Sequence, residues 1–173
     1  MDNFSPEQTN AFAELYGRNA DTVYRLCYLL LRNAADADDA VQSIFLKVLK
    51  DNRTFNGREH ERAWLIVAAK NHCKDMLKSW WRSRRVDVKE LPEAKHWDDR
   101  EQSELLSKLL MLPEKYKTVL YLYYYEGYSV RELAGLLQRK ESTIQTQLAK
   151  GRERLRQEIG GDWIGRTRSE GTV

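Results

Sequence analysis

Apolar residues recur at helical spacing through most of the chain. Phe12, Leu15, Tyr16, Val23, Leu26, Cys27 and Leu30 share a face, which predicts a long helix over 11–31. Asn33 to Asp36 interrupts the pattern. A second helix then buries Val41, Ile44, Phe45, Val48 and Leu49 and leaves Asp39, Gln42 and Lys47 outward. Its start is crowded by Asp36, Asp38 and Asp39, where carboxylates complement the positive end of the helix dipole. Thr54 to Glu61, with Asn56-Gly57, reads as a polar loop. A third helix runs from about Arg62 to Arg85 and has two stripes. Ile66, Ala69, Cys73, Leu77 and Trp80 make the apolar one. Lys70, Asn71, Lys74, Lys78, Arg82 and Arg85 make a basic one, roughly 130° away at about 100° per residue.

Residues 86–101 lack periodicity, contain Pro92 and carry an acidic excess, so they read as a flexible linker. Helical spacing resumes with Leu105, Leu106, Leu109 and Leu110. Pro113 suits the first turn of the next helix, lined by Tyr116, Val119, Leu120, Tyr123 and Tyr124, with Gly127 to end it. Ser129 with Glu132 makes a capping box opening a helix with Val130, Leu133, Ala134 and Leu137. A last helix follows Gln138-Arg139-Lys140 and carries Ile144, Leu148, Gly151, Leu155 and Ile159 on one side. No segment reads as a strand. The expected architecture is all-α: two small helical domains, 1–85 and 102–160, joined by the flexible linker 86–101, the second containing a helix-turn-helix. Residues 161–173 read as a mobile tail.

Composition narrows the class. The 173 residues are 42% hydrophobic and 32% charged, with only 3 prolines and 9 glycines, which suits a helix-rich globular chain and argues against disordered or collagen-like segments. Apolar runs such as Leu26 to Leu31 are far too short to cross a bilayer. Met1-Asp2-Asn3-Phe4 lacks the pattern of a signal peptide. Cys27 and Cys73 sit at apolar helical positions, which argues against a disulfide framework and for a reduced, cytoplasmic setting. His60, His72 and His96 show no zinc spacing, and no phosphate loop or nucleophile elbow occurs. No metal, cofactor or enzyme activity is expected.

The net charge of +3 is segregated. Residues 58–85 carry 8 Lys/Arg against 3 Asp/Glu, 86–101 carry 3 against 6, and 127–160 carry 7 against 4. Two basic blocks around an acidic one suggest two contacts with a polyanion, the alternative being two solvated helix faces.

The last two helices match a helix-turn-helix in length and spacing. Ala134 is small where the helices cross, and Ile144, Leu137 and Leu148 close a core. Thr143, Gln145, Thr146 and Gln147 are then expected at the front of the second helix, facing base edges, with Lys150, Arg152, Arg154 and Arg156 near phosphates. Gly151 in mid-helix costs about 1 kcal/mol against alanine, which a close helix crossing explains. Gln138 stands where the turn favours glycine, and left-handed glutamine costs on the order of 1–2 kcal/mol. Arg139 stands where an apolar turn residue is usual. The turn is therefore either here or displaced by one residue, and an ordinary helical hairpin is the alternative to the whole motif. In the first half, Trp64, Trp80 and Trp81 border the basic stripe. Aromatic and cationic groups together suit melted nucleic acid, although a core position is the simpler reading for Trp64 and Trp80.

These segments resemble a bacterial RNA polymerase sigma factor of the extracytoplasmic-function (ECF) group, from about Phe12 to Ile159. Asp36-Ala37-Asp38-Asp39-Ala40-Val41-Gln42-Ser43-Ile44-Phe45 resembles the polymerase-binding helix of sigma region 2. Trp64-Leu65-Ile66-Val67-Ala68-Ala69-Lys70-Asn71 resembles that domain's promoter-melting and −10-reading helix, and Leu112-Pro113-Glu114-Lys115-Tyr116 through Arg156 resembles region 4. The resemblance implies that Asp36, Asp38, Asp39, Gln42, Phe45 and Lys47 dock on core RNA polymerase, at the clamp coiled coil of β′, with the β flap as a second contact. It implies −10 contacts from Asn56, Arg62, Trp64, Lys70, Asn71, Lys74, Lys78 and Arg82, and −35 contacts from Lys140, Thr143, Gln145, Thr146, Gln147, Lys150 and Arg152. The linker would thread the polymerase's RNA channel, and an anti-sigma factor would hold the protein inactive. Gln145 and Gln147 replace the Lys and Arg of many relatives; by base-edge geometry Gln reads adenine and Arg guanine. Two other readings stay open: a stand-alone helix-turn-helix regulator, and an adaptor that never touches DNA.

Overall fold

The computed structural model of the protein describes residues 4–83 and 100–159. Most of the expected linker and the whole of the 161–173 tail lie outside the described residues, as does the side chain of Arg82. The chain divides into two compact units, Met1–His96 and Trp97–Val173. All described elements are α-helices, and none is long and apolar enough to cross a membrane.

The first unit holds α1 (Pro6–Leu31), α2 (Ala34–Lys50) and α3 (Arg58–Ser83). Helix α1 starts five residues before the expected Ala11. The Ser5 hydroxyl accepts from the Gln8 N–H at 3.2 Å, the Gln8 side chain accepts from the Ser5 N–H at 2.9 Å, and Pro6 opens the first turn. That capping box was present in the sequence but preceded the first apolar repeat. The interruption expected over Asn33–Asp36 shrinks to Arg32, left-handed at φ 58°, and Asn33, whose side chain accepts from the Asp36 N–H at 3.0 Å.

Leu26, Cys27, Leu29, Ile44, Leu65, Ile66 and Cys73 fill the core between the three helices. Both cysteines are free and buried, and the hydrogen bond with Cys73, helped by burial, pushes the Cys27 thiol far up. A polar lock built on the buried Asn19 and Glu61 ties α1 to α3. Arg18 makes three hydrogen bonds to the Glu61 carboxylate, at 3.0, 3.2 and 3.3 Å, and Asn19 donates both to Glu61 and to the Leu15 carbonyl.

The second unit holds α4 (Arg100–Leu110), α5 (Glu114–Tyr124), α6 (Val130–Leu137) and α7 (Glu141–Ile159). Pro113 caps α5 from just outside it rather than forming its first turn. The Ser129–Glu132 capping box forms as expected, with bonds of 2.7 and 3.2 Å. Those bonds from Ser129 hold the Glu132 carboxyl below its usual range, so its share of the cap is lost as pH falls through that lowered pKa. The turn is not displaced: Gln138 itself is left-handed, φ 52° and ψ 50°, and its N–H closes on Ala134 and Gly135. Glycine here removes the Cβ penalty at the expense of a floppier unfolded chain. Gln138→Gly is expected to stabilise the second unit by about 1 kcal/mol, read as a raised melting temperature; an unchanged or lowered value would show that the Gln138 side chain stabilises the turn.

Gly151 packs where α7 crosses α5. A Cβ there would lie 3.0 Å from Leu120 Cδ1 and 3.3 Å from Tyr116 Cβ, which accounts for a glycine inside a helix.

Candidate nucleic-acid interface

Three surfaces carry the residues singled out by sequence. On α2, Asp38, Asp39, Gln42 and Lys47 are exposed and Asp36 is half-buried. Burial, with the Asp39 carboxylate adding to it, pushes the Asp36 carboxyl above the usual range. Phe45 requires correction. It is only 2% exposed, its ring centroid 4.8 Å from Tyr16 and 6.4 Å from Phe12, so it lies on the buried stripe that its spacing predicts and not on the exposed face of Asp39 and Gln42. The apolar residue on the outer face is Leu46, 48% exposed. At about 100° per residue, Asp39, Gln42 and Leu46 fall within about 60° of one another, while Phe45 points inward. The i, i+3, i+7 spacing from Asp39 was the available signal.

The second surface joins the loop after α2 to α3. Asn56 is exposed, and its N–H donates to His60 Nδ1 at 3.1 Å. Gly57 follows at φ 93°. Phe55 reaches back to His60 and Trp64, at centroid distances of 5.6 and 5.7 Å, and the Arg53 guanidinium lies 4.6 Å above the Trp64 ring. Trp64 and Trp80 are thus half-buried, between the core and the surface positions weighed for them. Arg62 and Lys70 are half-buried as well; Asn71, Lys74 and Lys78 are exposed. Trp81 is 77% exposed, and helical spacing sets it on the stripe of Lys70, Lys74 and Lys78. Cations, an amide and an open indole on one helix face can follow a phosphate backbone and stack unpaired bases.

The third surface is a concavity of about 310 Å³ on the second unit, lined by Thr143, Thr146, Gln147 and Lys150 of α7 with Lys115 and Tyr116 at the start of α5. Four of the expected −35 residues come together here. Gln145 is also exposed but does not line it, being about 160° from Gln147 round the helix. Arg152, half-buried, donates to the Tyr124 hydroxyl at 3.2 Å on another flank, and Lys140 is exposed at the turn. The Thr146 hydroxyl donates to the Ser142 carbonyl at 2.9 Å, so its methyl and lone pairs remain for a ligand. Gln147 is half-buried and accepts from Arg139 Nη1 at 2.9 Å. Lys115 and Arg139 escaped the sequence reading as site residues. Lys115 is distant along the chain from α7, and Arg139 stood out only as an unusual turn residue.

Comparison with known proteins matches both units. Residues 15–83 match the sequence family "Sigma-70 region 2" and residues 102–155 match "Sigma-70, region 4". The chain is similar to the ECF RNA polymerase sigma factor SigW of Bacillus subtilis, 26% identical over 87% of this chain and 89% of the relative. It is 31% identical to the ECF sigma factor SigE of Mycolicibacterium smegmatis, over 83% of this chain and 59% of that one. Among solved structures, the sigma factor RpoE of Bartonella quintana, in complex with the anti-sigma factor NepR, shares the fold with a TM-score of 0.71. It is 19% identical, and the match covers 88% of this chain and 98% of that one.

Proposed function

Because this chain belongs to the ECF sigma factors of the sigma-70 family, we propose that it confers promoter choice on core RNA polymerase through the three surfaces described above. The α2 face of Asp39, Gln42 and Leu46 docks on core polymerase. The loop of Phe55–Asn56 and the α3 stripe hold the opened −10 strand. The front of α7, with Lys115, reads the −35 duplex. Such a factor supplies recognition and strand opening, leaving the chemistry of RNA synthesis to core polymerase in the cytoplasm. An anti-sigma factor that occludes one or more of these faces is part of this reading.

One observation carries it: each of the two compact helical units exposes cationic side chains along a helix, α3 in the first and α7 in the second. A stand-alone regulator needs only α6 and α7. It leaves without a role the exposed Trp81 and lysine stripe of α3, inside the segment that matches region 2. Run-off transcription with purified core polymerase over a randomised promoter library tests the proposal. Enrichment of spaced −35 and −10 elements that depends on this protein is expected. Specific duplex binding without core, and no transcription, would replace it with the lone regulator.

Gln145→Ala is expected to weaken a subset of −35 variants by about 1–3 kcal/mol and leave the −10 preference alone. A loss spread evenly over all −35 sequences in the same library would remove Gln145 from the base-reading set.

A further inference from the structure

Glutamine reads adenine by offering both ends of its amide, the oxygen accepting from N6–H and the nitrogen donating to N7. Gln147 is not free to choose. Its Oε1 accepts from Arg139 Nη1 at 2.9 Å, and both side chains are half-buried. A guanidinium has donors and no acceptor, so only the oxygen end of the amide can face it. The partner is charged, which makes this one of the stronger kinds of hydrogen bond and polarises the amide toward stronger N–H donation. The surroundings reinforce the same sign. Lys115 and Lys150 line the concavity with Gln147, whereas no carboxylate does. Thr146 cannot supply a competing donor, since its proton is directed to the Ser142 carbonyl.

We infer that Arg139 is a specificity-positioning residue: it holds the Gln147 oxygen away from the duplex, so that Gln147 presents its Nε2 donors and selects guanine, which offers two acceptors (N7 and O6) in the major groove, over adenine. The inference rests on the −35 reading of α7 above and revises the adenine preference that glutamine alone implies. It also gives a role to the polar residue in the turn: Arg139 reaches eight residues forward along the chain and acts through Gln147.

The experiment is library transcription with core polymerase, comparing wild type, Gln147→Ala, Arg139→Ala, Arg139→Met and the Arg139→Ala/Gln147→Ala double variant. The base pair that loses its preference in Gln147→Ala identifies the one Gln147 contacts. At that pair, wild type is expected to favour guanine. Arg139→Ala and Arg139→Met are each expected to shift the guanine-to-adenine ratio toward adenine by roughly tenfold, within the range one base contact carries. In the Gln147→Ala background, loss of Arg139 is expected to change nothing further at that pair.

Arg139→Met keeps the aliphatic stem, so a wild-type profile from it would assign the effect to packing and overturn the inference. An adenine preference in wild type, or an unchanged ratio in both Arg139 variants, overturns it equally. Thermal melting of each variant shows whether the second unit is folded, and a shift at a single base pair is not what general unfolding produces. If wild type itself directs no promoter-dependent transcription, the failure belongs to the sigma reading and not to Arg139.

Discussion

Asp39→Arg is expected to abolish retention of core polymerase while leaving the first unit folded. Asp39 is exposed on α2, well past the first turn, on the face it shares with Gln42 and Leu46, and it packs against nothing in the core. Reversing its charge therefore removes no packing. Against a docking surface complementary to a carboxylate, the reversal replaces attraction with repulsion, which costs several kcal/mol; about 4 kcal/mol corresponds to roughly a thousandfold in affinity. Co-purification with tagged core polymerase, beside a thermal melt, checks both halves. Wild-type retention would move the docking face elsewhere. Leu46→Asp offers an independent probe of the same face and is expected to weaken retention as well, since an exposed apolar side chain beside charged ones is the kind of contact that docking desolvates.

The second large effect is expected at Gly151. With a Cβ already at 3.0 Å from Leu120 Cδ1 and 3.3 Å from Tyr116 Cβ, a leucine side chain has no room unless α7 moves away from α5. Overpacking of this kind costs about 1–3 kcal/mol, at times more. For a unit of this size, each kcal/mol shifts the melting temperature by about 4–8 °C. Gly151→Leu is therefore expected to lower the melting of the second unit by roughly 4–24 °C and to abolish −35-dependent transcription, because α5 and α7 both line the concavity. Gly151→Ala is the internal control. Its Cβ must be accommodated against Leu120 Cδ1 and Cγ and Tyr116 Cβ at 3.0–3.3 Å, while alanine recovers about 1 kcal/mol of helix propensity, so a net change much smaller than leucine's is expected. A leucine variant as stable as wild type would mean the helix crossing is compliant.

Helix spacing made most of the fold legible, because each amphipathic segment has one stripe to bury and few glycines or prolines to interrupt it. Ser129 and Glu132 marked their helix start correctly. The start of α1 was missed because its cap, Ser5 with Gln8, lies ahead of any apolar repeat. The site was legible to the level of faces and not of side chains. Spacing puts Phe45 on the buried stripe of α2 while the resemblance puts it on the docking face, and its packing against Tyr16 and Phe12 agrees with the spacing. Gln145 and Gln147 looked equivalent as sequence neighbours, yet only Gln147 lines the concavity and is held by Arg139. Lys115 joins them through the α5–α7 crossing that Gly151 permits, a relation between segments that local patterning does not encode.

The strapping of the α2–α3 loop onto α3 bears on the energetics of strand capture. Phe55 seated against Trp64, Arg53 laid over the same indole and the Asn56 amide tied to His60 fix the backbone on either side of the exposed Asn56 side chain. A loop left to fluctuate would have to surrender its conformational freedom when it closed on a single strand, a loss of roughly 1–2 kcal/mol per residue. Here much of that freedom is already gone when the first unit folds. On the proposed −10 reading, the attraction between this loop and an unstacked base is then opposed mainly by the disorder of the DNA.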